Sequence, residues 1–332
     1  MSTSEPPLKR QRTDDENQCS VILRSKDFWF DDGNVILQVQ STQFRLSKSV
    51  LAMHSPVFRD MFSLPLPPEE PLVEGCPVVV LFGDTSEDWE YLLRAIFPKE
   101  CFHDGADSAP SVPDLCAVLR LSKKYDIAGF RKRCVKLLKT TFPSSLEQLD
   151  DVVGFQWRGL SVKVDADTAE VCVQIINLAR EVGLYSVLPS AFYTILHWQH
   201  GESGRQDKHI ANLEHKEDQF KYLKACNTII RCYEATPLVW LSSQSGISWD
   251  GCLHHLQCSA QRKALLLELL SAPDQVLGFL DEWNDEWDQK MCALCAEKAK
   301  PVYETTRIKC WEKLPEYFGL DDWDTLRKMD FE

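Results

Sequence analysis

FRLSKSVLAMHSPVFRDMF, residues 44–62, is the stretch on which the fold turns. Leu51, Met53, Val57, Phe58, Met61 and Phe62 recur at close to helical spacing, and Ser55-Pro56 breaks the run with a residue that a helix accepts in its first turn. The spacing predicts two short helices, the second opening at Pro56. Just upstream, in FWFDDGNVILQVQSTQF (28–44), Val35, Leu37 and Val39 alternate with Ile36, Gln38 and Gln40, and Ser41-Thr42 separates them from the run around Phe44. That alternation predicts two antiparallel strands joined by a tight turn. Downstream, the proline-rich LPLPPEEPLVEGCP (64–77) leads into PVVVLF (77–82), a third strand candidate. Trp89, Leu92, Leu93 and Ile96 share one helical face, as do Leu115, Val118, Leu119 and Leu121, and again Phe130, Cys134, Val135, Leu137 and Leu138. Pro143 closes this unit of about 120 residues, whose order of strands, helix pair, strand and helices is an α+β pattern.

The full chain of 332 residues is 44% hydrophobic and 26% charged, enough apolar material for packed cores and about two domains. Residues 1–20 read as a disordered tail with the basic cluster Lys9, Arg10 and Arg12, residues 21–142 as the α+β domain, and residues 143–332 as a mostly helical C-terminal region. There, Asp167 with Glu170 three residues on resembles a capping box, and Gly183 stands where a C-terminal cap belongs. Phe220, Leu223, Ile229 and Ile230 suggest another helix and Leu265 to Leu270 one more, while Trp283 and Trp287 fall on one face of an acidic helix.

Composition narrows the function. The 37 Lys+Arg against 50 Asp+Glu give a net charge of −13, which repels phosphate backbones and anionic lipid. Direct nucleic-acid binding and membrane association are therefore not expected, and partners should be proteins. The longest apolar run, Val78 to Phe82, falls far short of the ~20 residues that span a bilayer. With no secretory signal, the 13 scattered cysteines read as reduced thiols and the protein as intracellular. No dinucleotide, P-loop, zinc-protease or nucleophile-elbow motif occurs, so the expectation is a protein that is not an enzyme, and His197, His200, His209 and His215 read as solvated loop residues.

Taken together, FRLSKSVLAMHSPVFRDMF, PVVVLF, EDWEYLLRAIF and LCAVLRLSKKYDIAGFRKRCVKLL resemble a BTB/POZ domain, a short mixed sheet flanked by helices. AEVCVQIINLAREVGLYSVLPSAFYTIL and RIKCWEKLPEYFGLDDWDTL resemble the C-terminal halves of BTB proteins from mushroom-forming fungi. Asn34 and Ser47-Lys48 depart from the family's usual Asp and His-Lys pair, but their side chains can make equivalent hydrogen bonds. The resemblance implies a non-catalytic interaction adaptor forming homo- or hetero-oligomers. In some branches such domains dock a cullin scaffold of a ubiquitin ligase through a hydrophobic-x-Glu triplet, for which Leu72 and Glu74 are the candidates; a plain extended surface loop is the alternative. A nuclear scaffold or transcriptional co-factor unconnected to ubiquitin is the second functional reading. Family homodimers often exchange an N-terminal strand, and Val21-Ile22-Leu23 with Phe28-Trp29-Phe30 could serve a partner or pack on their own domain.

Two further motifs stand apart. Lys9, Arg10 and Arg12 suit an import receptor, which favours a nuclear or nucleocytoplasmic location, and Thr13 before Asp14-Asp15-Glu16 resembles an acid-directed kinase site. Cys252, Cys258, Cys292 and Cys295, the last two in CxxC spacing, could supply four thiolates to a structural zinc. The other reading is a thiol-lined core with Cys292 and Cys295 as neighbours on a helix.

Overall fold

The computed structural model describes residues 21–65, 72–98, 109–151, 157, 159–162, 166–198, 209–231, 237–242, 247–271 and 280–331. Lys9, Arg10, Arg12 and Thr13 lie outside them. Five strands, β1 (Leu23–Trp29), β2 (Val35–Val39), β3 (Thr42–Leu46), β4 (Leu72–Val73) and β5 (Cys76–Leu81), form one mixed sheet in the order β1-β3-β2-β5-β4. The hairpin foreseen from alternation is β2–β3, paired from Val35 opposite Leu46 to Val39 opposite Thr42. Its two-residue turn holds Gln40 at φ 51°. Because β2 is central, Ile36 on the opposite face is buried as fully as Val35, Leu37 and Val39.

β5 runs parallel to β2, so the chain between them must cross over, and the helix pair does so. α1 (Lys48–His54) starts where Asn34 Oδ1 accepts the Lys48 N–H at 2.8 Å, so the substituted position still makes a structural hydrogen bond. α2 (Pro56–Ser63) begins at Pro56, with Ser55 Oγ accepting the Phe58 N–H and donating to the Tyr125 carbonyl. α3 (Ser86–Ile96), α4 (Val112–Lys124) and α5 (Ala128–Thr141) complete this part. A reciprocal capping box joins Ser111 and Asp114 at the start of α4, a signal the sequence reading passed over.

In this core the Phe58 ring stacks on Tyr125 at 4.8 Å and meets the edge of Trp89 at 5.9 Å. Beside them the buried Asp84 carboxylate accepts from Trp89 Nε1 at 2.9 Å, Tyr125 OH at 2.5 Å and Lys124 Nζ at 2.5 Å. Desolvation, then the Asp84 hydrogen bond, drives the Tyr125 phenol far above its ordinary pKa, so it remains a donor.

The remainder is helical: α6 (Leu146–Asp150), α7 (Thr168–Val182), α8 (Leu188–Trp198), α9 (Lys216–Arg231), α10 (His255–Ser271), α11 (Glu286–Gln289), α12 (Ala293–Glu312), α13 (Leu314–Tyr317) and α14 (Trp323–Met329). α7 ends at Gly183, φ 70°, as the sequence indicated. Its cap differs from the box: Asp167 accepts the N–H of Ala169, one residue earlier, and turns its other oxygen to His209 Nε2 at 2.9 Å. α9 buries Tyr222, Ala225 and Ile229, while Phe220 and Leu223 face solvent. The inward stripe starts from Asp218, which Arg180 of α7 grips with two hydrogen bonds of 2.9 and 2.6 Å. Trp283 and Trp287 do not share a helical face; α11 starts at Glu286, and the two rings meet edge to face at 5.0 Å because Trp283 folds back from the segment before it.

One apolar core runs from Phe28 and the hairpin through α4, α5, α7 and α8 to Trp311 and Trp323. Residues near 330 fasten it: Asp330 accepts from Lys139 Nζ at 2.6 Å and from the Ser186 N–H and hydroxyl, and the Phe331 N–H donates to the Gly183 carbonyl. A second, smaller cluster gathers Leu238, Trp240, Leu241, Leu265, Trp287, Ala299 and Tyr303. No described helix is long and apolar enough to cross a membrane.

Candidate functional site

The outer strand of the sheet is the first place where this fold can meet another chain. β1 pairs with β3 on one side only, in parallel, so its other side presents unpaired backbone groups among the described residues. Along it the two apolar triplets separate. Phe28 is buried in its own core and Phe30 rests on Phe97 at 5.0 Å, whereas Val21, Ile22 and Leu23 are 75%, 51% and 58% exposed.

The triplet Leu72-Val73-Glu74 forms the far edge. Leu72 and Val73 are β4, antiparallel to Pro77 and Cys76, and Glu74 with Gly75 makes the turn between β4 and β5, both at positive φ. Leu72 is 59% exposed. Glu74 is held: its carboxylate pairs with Arg24 at 2.7 Å and Arg45 at 3.2 Å, tying the turn to β1 and β3.

The four cysteines are brought together by two turns. Gly251, φ 85°, precedes Cys252, whose N–H donates to the Trp249 carbonyl; Lys298 of α12 holds that turn by donating to the Ser248 and Asp250 carbonyls at 2.8 Å. A residue other than glycine is strained at such a φ. Cys258 lies in the first turn of α10. Cys292 is the extended N-cap residue of α12 and Cys295 falls in its first turn, so CxxC here is a loop-to-helix junction, not a mid-helix pair. All four sulfurs lie within 4.8 Å of one another, Cys252 and Cys292 at 3.7 Å. The Cys292 N–H donates to Cys258 Sγ at 3.4 Å, and Arg262 Nη1 reaches Cys295 Sγ at 3.7 Å while stacking over the Trp249 ring. The backbone N–H of Cys295 brings the Cys292 thiol down to about 7, and desolvation pushes Cys258 and Cys295 up. His254 and His255 are exposed and not among the converging groups.

Among the described residues the other histidines do not gather. His197 sits half-buried in α8 against Tyr193, and His209 is mostly covered and paired with Asp167, so these two are packed residues and not solvated loop residues; His215 is exposed, and His200 lies outside the described residues. A cleft of about 290 Å³ between α3, α4 and α7 contains Arg120, already bound to Asp88 at 2.7 Å and Glu181 at 2.8 Å.

The family profile for the BTB/POZ domain matches residues 23–142, from the first residue of β1 to the end of α5. No curated protein matches the chain. Mixed sheet, crossover helix pair and following helices thus all fall inside the matched stretch, and residues 23–142 of this chain are a BTB/POZ domain, a protein-interaction module.

Proposed function

We propose that the protein is a non-catalytic adaptor that associates with a second copy, or with a related BTB/POZ domain, through the exposed start of β1. The observation that carries this reading is the exposure of Val21 and Ile22, just before β1, and of Leu23, its first residue, at a strand whose outer edge is unpaired among the described residues. Strand addition at such an edge supplies main-chain hydrogen bonds, and burying three aliphatic side chains on each copy adds roughly 1.5–3 kcal/mol apiece. The helical region then carries the client.

A second contact, cullin docking at the other edge, is favoured by the exposure of Leu72. Glu74 would have to exchange Arg24 and Arg45 for a partner's cation, so Leu72 is the stronger anchor. Without that contact the adaptor is a nuclear scaffold or transcriptional co-factor unconnected to ubiquitin. One experiment addresses both edges: two differently tagged copies are co-expressed, one is captured, and the capture is probed for the other tag and for cullin. The wild type is expected to bring down both. Ile22→Asp with Leu23→Asp should lose the second copy, and Leu72→Ala with Glu74→Ala should lose cullin alone. Monomeric wild type that captures neither tagged copy nor BTB relative would refute the self-association reading.

The localisation proposal rests on Lys9, Arg10 and Arg12, whose charges suit the acidic groove of an import receptor. A fluorescent fusion of the full chain is expected in the nucleus or in both compartments, and replacing the three by alanine should shift it to the cytoplasm. Equal distribution of the two forms would dismiss the signal.

A further inference from the structure

The four cysteines stand beside the smaller apolar cluster. Among the described residues it contains seven buried ones, with Ile247, Trp249, Leu266, Trp283, Met291 and Val302 partly covered against it. The thiols adjoin it: Trp249 stands three residues before Cys252, Met291 immediately before Cys292, and α12 continues from Cys295 to Ala299 and Tyr303 inside the cluster.

A thiol-lined core scatters its sulfurs among carbon neighbours, whereas these four converge on one point from two segments some forty residues apart. Zinc–thiolate bonds of about 2.3 Å set tetrahedral sulfur–sulfur edges of about 3.8 Å. The Cys252–Cys292 separation of 3.7 Å fits such an edge, and it is far from the ~2.05 Å of a disulfide. The surroundings also suit thiolates. Zn²⁺ with four thiolates carries a net charge of −2, and the Arg262 guanidinium and the Cys292 N–H both donate to ligand sulfurs, the outer contacts that orient ligands and offset their charge.

We propose that Cys252, Cys258, Cys292 and Cys295 form a closed structural zinc site that clamps the start of α10 to the start of α12. With all four positions filled by protein, the ion has no open coordination for catalysis. Binding releases the thiol protons to solvent, and because the unfolded chain holds no such site, the metal's binding free energy stabilises this part of the fold.

The test uses full-length protein made with zinc in the medium and purified under reducing conditions without chelator. Elemental mass spectrometry is expected to find about one zinc per chain. Cys252→Ser with Cys292→Ser should reduce it to background, while Cys226→Ser, outside the cluster, should keep it. Should the double variant fail to fold, the wild type decides alone: exchange with Co²⁺ is expected to give the visible d–d bands of a tetrahedral site and a strong sulfur-to-metal charge-transfer band. Metal-free protein that takes up neither Zn²⁺ nor Co²⁺ while reduced would overturn the proposal, as would a folded double variant with its zinc intact. Stoichiometric iron in place of zinc would overturn the assignment of the metal.

Discussion

Replacing Asp84 by alanine is expected to cost the BTB/POZ domain about 3–5 kcal/mol, the usual effect of removing one partner from a buried charged network. Asp84 is 8% exposed and accepts from the Trp89 indole, the Tyr125 phenol and the Lys124 ammonium. Without it the indole and phenol lose their acceptor inside the core, where a stranded donor costs about 1–3 kcal/mol each. Lys124 suffers less, since its side chain is 42% exposed and can turn to water. Thermal unfolding followed by circular dichroism should show a midpoint lower by something on the order of 10 °C. Asp84→Asn separates the causes. Its carbonyl can serve Trp89 and Tyr125, both bound to the same carboxylate oxygen, while its amide faces the lysine, which swings away. The Asn form should therefore recover most of the loss. Equal damage from Asn and Ala would mean that the negative charge, not the two hydrogen bonds, is what the core requires.

Arg180→Ala should be as damaging for the helical region. Asp218, 2% exposed, has both oxygens in the fork of Arg180, and truncating the arginine leaves a buried carboxylate stripped of those two hydrogen bonds, which the first-turn dipole of α9 offsets only in part. The expected loss is again about 3–5 kcal/mol. Lysine cannot reproduce the two-pronged geometry and should rescue only part of it. In a double-mutant cycle, Asp218→Ala added to Arg180→Ala should restore stability relative to Arg180→Ala alone, because the stranded charge is gone. Additive losses would show that the two residues act through separate neighbours.

How much of this was legible in advance varies by element, and the reasons are physical. The β2–β3 hairpin and the break at Ser55-Pro56 rest on periodicity and a proline rule, which are local, and the structure has both where they were read. The partner of β1 was not legible: its pairing with β3 is a contact across the sheet, and only burial separates Phe28 from Val21, Ile22 and Leu23. β4, two residues long among prolines, is too short to show alternation. The helix α9 was legible from Phe220, Leu223, Ile229 and Ile230, but which side faces inward was not: Phe220 and Leu223 are exposed, while the buried side carries Asp218, bound to Arg180 of another helix. The CxxC spacing pointed to the cysteines, but their meeting depends on a turn at Gly251 and a helix start at Cys292 that are distant in sequence. The Ser111–Asp114 box was readable, since Ser-x-x-Asp before an apolar run is a known start signal.

The fastening of Asp330 and Phe331 to α5 and to the end of α7 bears on the order in which the chain can mature. A ribosome extends the chain from its N-terminus, so the BTB/POZ strands and α1 to α5 emerge well before residues 323–331. Until those residues arrive, Lys139 and Ser186 lack the carboxylate that joins them, and Trp311 lacks the Trp323 ring that stacks on it at 4.9 Å. A nascent chain halted before residue 323 thus leaves uncovered the Trp311 face that Trp323 stacks on in the finished fold. Exposed apolar surface of that kind makes a partly made chain prone to aggregate, so these few residues close the fold last and remove that hazard.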